Sequence, residues 1–273
     1  MFNECAKGEK LLNNYCSNSV TNVAIFTSIE VVKKIKILRI INRFNIGGPT
    51  YNATFLTRFL DEKYETKLVG GLPDVGESDS LYILEKYGVD QQVILAMRAH
   101  GVEPELIDEM VRLPNLNSDR KAYKKLKQII QEYQPDIVHT HASKAGALGR
   151  KAAFSCGVPI VLHTFHGHVF HSYFGKGKTL LFKNIERRLA KKSSRIIAIS
   201  DLQKEELSVE HKICTSKKVK VIPLGFDLDV FQEKRQTERA NTRKDLGLTD
   251  EIAIAIIGRF APINNHDLFF DIV

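Results

Sequence analysis

From Ile35 onward, short β-branched runs alternate with amphipathic helical stretches, and this alternation restricts the fold more than any other feature of the chain. Ile35–Asn42 (IKILRIIN) reads as a buried strand leading into Asn45-Ile46-Gly47-Gly48-Pro49. Proline suits the first turn of a helix, where its missing N–H removes no bond, so a helix is predicted from about Pro49 to Asp61. Lys67–Gly71 is the next strand. Residues 72–118 are the least periodic, with strand candidates at Val93–Ala96 and Leu106–Met110. Leu126, Ile129, Ile130 and Tyr133 then recur at helical spacing over Lys121–Tyr133, and Pro135 ends that helix. Asp136–His141, Pro159–His163, Arg195–Ser200 and Lys218–Pro223 read as strands. Between them lie helices at Ala145–Cys156, stopped by Gly157, at Thr179–Lys192, and at Asp201–His211, opened by a capping box from Ser200 to Gln203.

Such alternation through short links predicts an α/β fold, a Rossmann-like parallel sheet with helices on both faces. Ligands bind these sheets outside the carboxyl ends of the strands, and the polar and glycine-rich loops of this chain fall there. Residues 35–225 are expected to form one such domain. Residues 226–273 begin something else: a basic helix near Glu238–Leu246, an apolar strand at Ile252–Ile257, Gly258-Arg259-Phe260, and a helix from about Asn265. One strand and part of a helix cannot bury a core of their own, so this reads as a linker and the first fragment of a second Rossmann-like domain. Residues 1–34 have no periodic apolar face and read as an appended, dispensable segment.

The net charge of +8 favours anionic partners such as nucleotide diphosphates or an anionic membrane surface; it also fits a plain solubilising surface. No motif interleaves aromatic and basic residues, so no nucleic acid is expected as a partner. The cysteines at 5, 16, 156 and 214 form no Cys-x-x-Cys pair and fit free thiols in a reducing cytoplasm. No apolar run approaches the ~20 residues that a spanning helix requires.

Three loops carry the candidate chemistry. Gly47-Gly48-Pro49 opens a helix, where backbone N–H groups and the dipole favour an anion; a tight turn is the other reading. In His139-Thr140-His141-Ala142-Ser143-Lys144 the two histidines share one strand face, as a ligand-facing strand end or a metal pair, although no third ligand accompanies them. His163-Thr164-Phe165-His166-Gly167-His168-Val169-Phe170-His171 holds four histidines in nine residues, suited either to sugar hydroxyls near neutral pH or to packing. Gly167 suggests a sharp turn that presents His166.

With these residues in view, the stretch from about Ile35 to Val273 resembles a family 4 glycosyltransferase of the GT-B fold. The resemblance rests on Gly47–Pro49, Pro135–His141, Lys144–Arg150, His163–Phe170 and Val221–Gly225, in that order. It implies two Rossmann-like domains around a cleft, of which residues 35–225 are the acceptor-side one. It also implies transfer from a UDP- or GDP-linked sugar to a glycan or lipid-linked acceptor, with retention and no obligatory metal or other cofactor, in cell-envelope polysaccharide assembly on the cytoplasmic side of the membrane. By the same resemblance Gly47 and Gly48 approach the donor phosphates and His166 lies by the transferred sugar, with His139, His141 and Lys144 in the binding loops. Arg259 is one of two cations expected on the leaving diphosphate. Asn264 stands where the second, a lysine, is expected, and the family's paired glutamates are not found up to Val273. A sugar- or acceptor-binding remnant without turnover is therefore the alternative reading.

Overall fold

The computed structural model describes residues 33–45, 47–72, 97–99, 101–111, 113–167, 176–226, 228–258 and 264–272. Seven strands pair into one fully parallel sheet. They are β1 (Ile35–Arg43), β2 (Tyr64–Gly71), β3 (Pro104–Leu106), β4 (Ile137–His141), β5 (Ile160–Thr164), β6 (Arg195–Ala198) and β7 (Val219–Val221), in the spatial order β3-β2-β1-β4-β5-β6-β7. The order reverses between β1 and β4, the switch point at which sheets of this kind open a ligand crevice.

Helices cover the two faces unequally. On one face lie α2 (Leu116–Tyr133), α3 (Ser143–Ser155) and α4 (Lys176–Lys192), following α1 (Gly48–Arg58), which lies on the other. Leu38 and Ile40 of β1 join Val138, Val161, Ala152 and Leu126 in the main core, while Ile41 meets Ala53 of α1 in a second cluster. A strand buried on both sides needs an unbroken apolar run, which Ile37–Ile41 supplies apart from Arg39. A third cluster, with Phe165, Ala190, Ile196 and Leu207, closes the β6–β7 end.

Boundaries moved where a cap outweighed periodicity. The helix expected from Lys121 starts at Leu116, because the Asn115 side chain accepts hydrogen bonds from the backbone N–H groups of Asn117 and Ser118. The capping box at Ser200 is half present. Its hydroxyl accepts from the Gln203 N–H, but the Gln203 side chain reaches back to Ile199, and the helix α5 (Asp201–Glu205) widens into a π-helical turn over Glu206–Glu210. Of the two strand candidates between 72 and 118, Leu106 closes β3, and Val93–Ala96 lies outside the described residues.

The strand expected at Ile252–Ile257 is not formed. The segment joins no ladder among the described residues, and Ile252 and Ile257 are 91% and 97% exposed. A lone strand leaves its N–H and C=O groups without partners, so neighbours on a sheet edge are needed to fix it. The helices α6 (Asp229–Gln232), α7 (Arg235–Asp245) and α8 (His266–Ile272) flank it, and no described residue after Val219 is buried. Residues 34–273 cluster as one contact-connected unit, and the expectation for residues 1–34 falls almost wholly on residues 1–32, outside the described ones.

Candidate functional site at the carboxyl edge of the sheet

The ends of β1, β4 and β5 stand side by side; Gly47 and Gly48 lead from β1 into α1, His139 and His141 lie on β4 itself, and His166 is in the loop after β5. At the first loop, α1 begins after Gly47 with no side-chain cap, and Gly47 O accepts from the N–H groups of Thr50 and Tyr51. The Thr50 hydroxyl is buried with no protein partner. A Cβ placed on Gly48 would meet nothing within 4 Å, so packing within the protein does not call for glycine there. An uncapped helix start with open backbone suits an incoming anion.

At the second loop, β4 turns into α3 through Ala142, whose φ of 63° and ψ of 165° fall in a region natural to glycine. α3 also starts without a side-chain cap. The turn leaves both histidines of β4 buried on one side of the sheet, with ring centroids 4.2 Å apart. Their partners differ. His139 Nδ1 lies 2.8 Å from Arg39 Nη1 and His139 Nε2 lies 2.7 Å from Thr164 Oγ1, so neither nitrogen remains for a metal. His141 Nδ1 lies 2.9 Å from His166 Nε2, while His141 Nε2 is buried without a partner. Among the described residues no group of three His, Cys, Asp or Glu side chains is placed to hold a metal ion.

Burial holds all these rings neutral. It drives His139 and His141 well below the ordinary histidine range, helped by the Arg39 charge, and lowers His166 to about 4. His163 belongs elsewhere. It points to the opposite face, where its Nδ1 meets the Thr140 hydroxyl at 2.8 Å, and burial and Arg150 keep it neutral too. A Cβ on Gly146 would collide with this ring. The Lys144–Arg150 motif is thus largely architectural. Gly146 and Gly149 let α3 approach the sheet, and Arg150 forms a fully buried ion pair with Glu186 of α4 at 2.6 Å.

Lys144 has three protein partners, Asp119 Oδ1 at 2.6 Å and the carbonyls of Val111 and Leu113 at 2.8 and 2.7 Å, so here it tethers the segment before α2. Asn264 lies against Gly258 in the exposed terminal region. Arg259, His168 and His171 lie outside the described residues. Sequence reasoning missed Arg39, Thr50 and Thr164. A charge at the middle of three alternate positions, between Ile37 and Ile41, was the readable signal for Arg39, since a strand face otherwise apolar keeps an arginine only with partners.

The profile of Glycosyltransferase Family 4 matches residues 84–230, more than half of the chain. The chain belongs to this family. Its sheet is the Rossmann-like α/β half of the GT-B fold. A curated relative, the UDP-Gal:alpha-D-GlcNAc-diphosphoundecaprenol alpha-1,3-galactosyltransferase of Escherichia coli, is 34% identical over 60% of this chain and 42% of its own length. The alpha-monoglucosyldiacylglycerol synthase of Streptococcus pneumoniae is 27% identical over 52% of this chain and 35% of its own. A glycosyltransferase structure from Rickettsia africae superposes with a TM-score of 0.58 at 18% identity over 80% of this chain and 51% of that one, a likeness of fold. The chain therefore spans about half or less of the proteins it matches. No described helix is long and apolar enough to cross a membrane.

Proposed function

We propose that this chain is the acceptor-side half of a nucleotide-sugar-dependent glycosyltransferase, moving a sugar from a UDP- or GDP-linked donor to a glycan or lipid-linked acceptor, with retention and without an obligatory metal. The observation that carries this reading is the meeting of an uncapped helix start at Gly47–Thr50 with the buried, neutral His141–His166 pair on one sheet edge. In the transfer, the bond between the anomeric carbon and the diphosphate breaks, one to an acceptor oxygen forms, and the acceptor hydroxyl's proton passes to the departing diphosphate oxygen. Charge then grows on the departing diphosphate, where helix N–H groups and a cation such as Arg259 stabilise it. A neutral His166 hydrogen-bonds sugar hydroxyls without adding a charge that would oppose a cationic sugar centre. The diphosphate-lipid acceptor named for the E. coli relative and the glycolipid product named for the S. pneumoniae one support a lipid-linked acceptor, met at the cytoplasmic face of a membrane.

A remnant that binds sugar without transfer is the second reading. It is favoured by Asn264 at the expected lysine position and by the unpaired, exposed Ile252–Ile257 segment. Loss of a cation from such a site lowers the rate by about 10²–10³-fold. Calorimetric titration with nucleotide sugars and nucleotide-release assays with lipid-diphosphate acceptors separate the two. The 273-residue chain alone is expected to do neither, whereas the chain joined to a complete second domain, with Asn264→Lys, binds donor and releases nucleotide. Micromolar donor binding or steady release by the chain alone would contradict the assignment of the donor grip to that second domain. Binding without release by the completed protein would favour the remnant.

A further inference from the structure

A permanent cation sits beneath the histidine pair, on the same sheet face. Arg39 pairs directly with His139 across the β1–β4 ladder and is only 4% exposed. Its guanidinium donates to the Leu56 carbonyl at 2.8 Å and meets His139 Nδ1 at the same distance. Burial lowers its pKa to about 10, which still leaves it charged at neutral pH. A guanidinium has donors and no acceptor. His139 Nδ1 must therefore accept, its single proton must sit on Nε2, and that N–H donates to Thr164 Oγ1 at 2.7 Å. The tautomer follows from the partners without any assumption about hydrogens.

We propose that Arg39 is the positioning residue of this site: its guanidinium fixes His139 as the Nε2-protonated neutral ring, and that ring, packed on His141, holds His141 in place to hydrogen-bond His166. The proposal rests on the transferase reading for its purpose but not for its test. The contacts form one chain from Leu56 through Arg39 and His139 to Thr164, and by ring contact through His141 to His166. No charge from the other packed elements competes for His139. From α1, Asn52 and Leu56 line the cavity shared with Arg39 and His139, and neither is charged. From β5, Leu162 and Thr164 face it, with neutral His166 just beyond. The buried cation Arg150 acts on His163 and is paired with Glu186 on the opposite face.

Imidazole nitrogen NMR of the 15N-labelled 273-residue chain tests this, because protonated and bare ring nitrogens resonate far apart. The wild-type spectrum is expected to show His139 as a single neutral tautomer with bare Nδ1. In Arg39→Met, checked for folding by circular dichroism, His139 is expected to populate both tautomers, and Arg39→Lys, a cation with donors only, restores the single one. A wild-type His139 carrying its proton on Nδ1 overturns the proposal even if Arg39→Met does not fold. So does a folded Arg39→Met that keeps one Nε2–H tautomer, since Thr164 would then suffice. No sugar is transferred in this measurement, so its failure and a failure of the transferase reading are told apart.

Discussion

His141 Nδ1 and His166 Nε2 lie 2.9 Å apart, a hydrogen bond that ties the last residue of β4 to the loop after β5. Both rings are neutral, so one nitrogen of the pair donates and the other accepts. Whichever way the proton lies, the buried Nε2 of His141 faces no protein partner. That atom and the Thr50 hydroxyl are buried at this edge without a protein partner, as are Arg39 Nε and Asn42 Oδ1 of β1.

The glycines of the site separate into two kinds, and substitution by alanine distinguishes them. At Gly146 a Cβ would run into the His163 ring, and at Gly149 it would come within 2.8 Å of Thr140 Cγ2 and 3.0 Å of Ile40 Cδ1. Gly146→Ala and Gly149→Ala should each destabilise the chain by about 1–3 kcal/mol in urea unfolding. Gly48 has open space, and alanine is the better helix former by about 1 kcal/mol. Gly48→Ala should thus leave the urea midpoint unchanged or raise it, while weakening nucleotide-sugar binding at least tenfold when the second domain is present. A lowered midpoint would mean that Gly48 serves the fold and not the ligand.

Ala142 offers the opposite case, a side chain where the backbone suits glycine. Its φ of 63° with ψ of 165° carries strain of order 1–3 kcal/mol. Glycine would relieve most of it and return roughly 0.5–1 kcal/mol through a freer unfolded chain. Ala142→Gly is expected to stabilise by about 1 kcal/mol, and Ala142→Val to destabilise by more than that. Urea midpoints for the two variants check both signs, and a destabilised Ala142→Gly would show that the turn is unstrained.

Most of the fold was legible because parallel strands buried on both faces read as apolar runs, and the runs at Ile35–Asn42, Lys67–Gly71, Asp136–His141, Pro159–His163, Arg195–Ser200 and Lys218–Pro223 each overlap a strand. Ile252–Ile257 was the exception, and for a reason intrinsic to sheets: its composition is that of a strand, but a ladder also needs a neighbour, which local sequence does not report. Of the site, the positions of Gly48 and His166 beside strand ends were legible from their motifs, and the side-chain partners were not. The resemblance places Lys144 among the binding residues, and its ammonium here meets Asp119 and the carbonyls of Val111 and Leu113, partners distant in sequence. Arg39 looked like an interruption of a strand. Only the register that sets it against His139 reveals its purpose.

The pair Arg150–Glu186 links α3 to α4 with side chains 0% and 7% exposed, and Arg150 also donates to the Gly146 carbonyl. Removing one member strands a buried charge. Glu186→Leu or Arg150→Met should therefore cost about 3–5 kcal/mol, whereas the double replacement Arg150→Met with Glu186→Leu should cost markedly less than the sum. Denaturant unfolding of the three proteins forms the cycle. Strict additivity would show that the two charges do not depend on each other.

Acid should destabilise this chain earlier than it does most proteins, because its buried histidines resist protonation. The sign follows from comparing the two states. His139, His141 and His163 are held well below the ordinary value near 6.5, and His166 sits at about 4. Between those values the unfolded chain binds protons that the folded chain refuses, so stability is complete above pH ~6.5 and declines as pH falls toward 4. For His166 alone the shift corresponds to on the order of 3 kcal/mol, a large share of the 5–15 kcal/mol typical of a domain. Urea midpoints at pH 7.5, 6 and 5 should fall steadily, and His166→Gln should flatten part of that slope. A midpoint constant from pH 7.5 to 5 would mean that these rings are already reached by water and protons in the folded state.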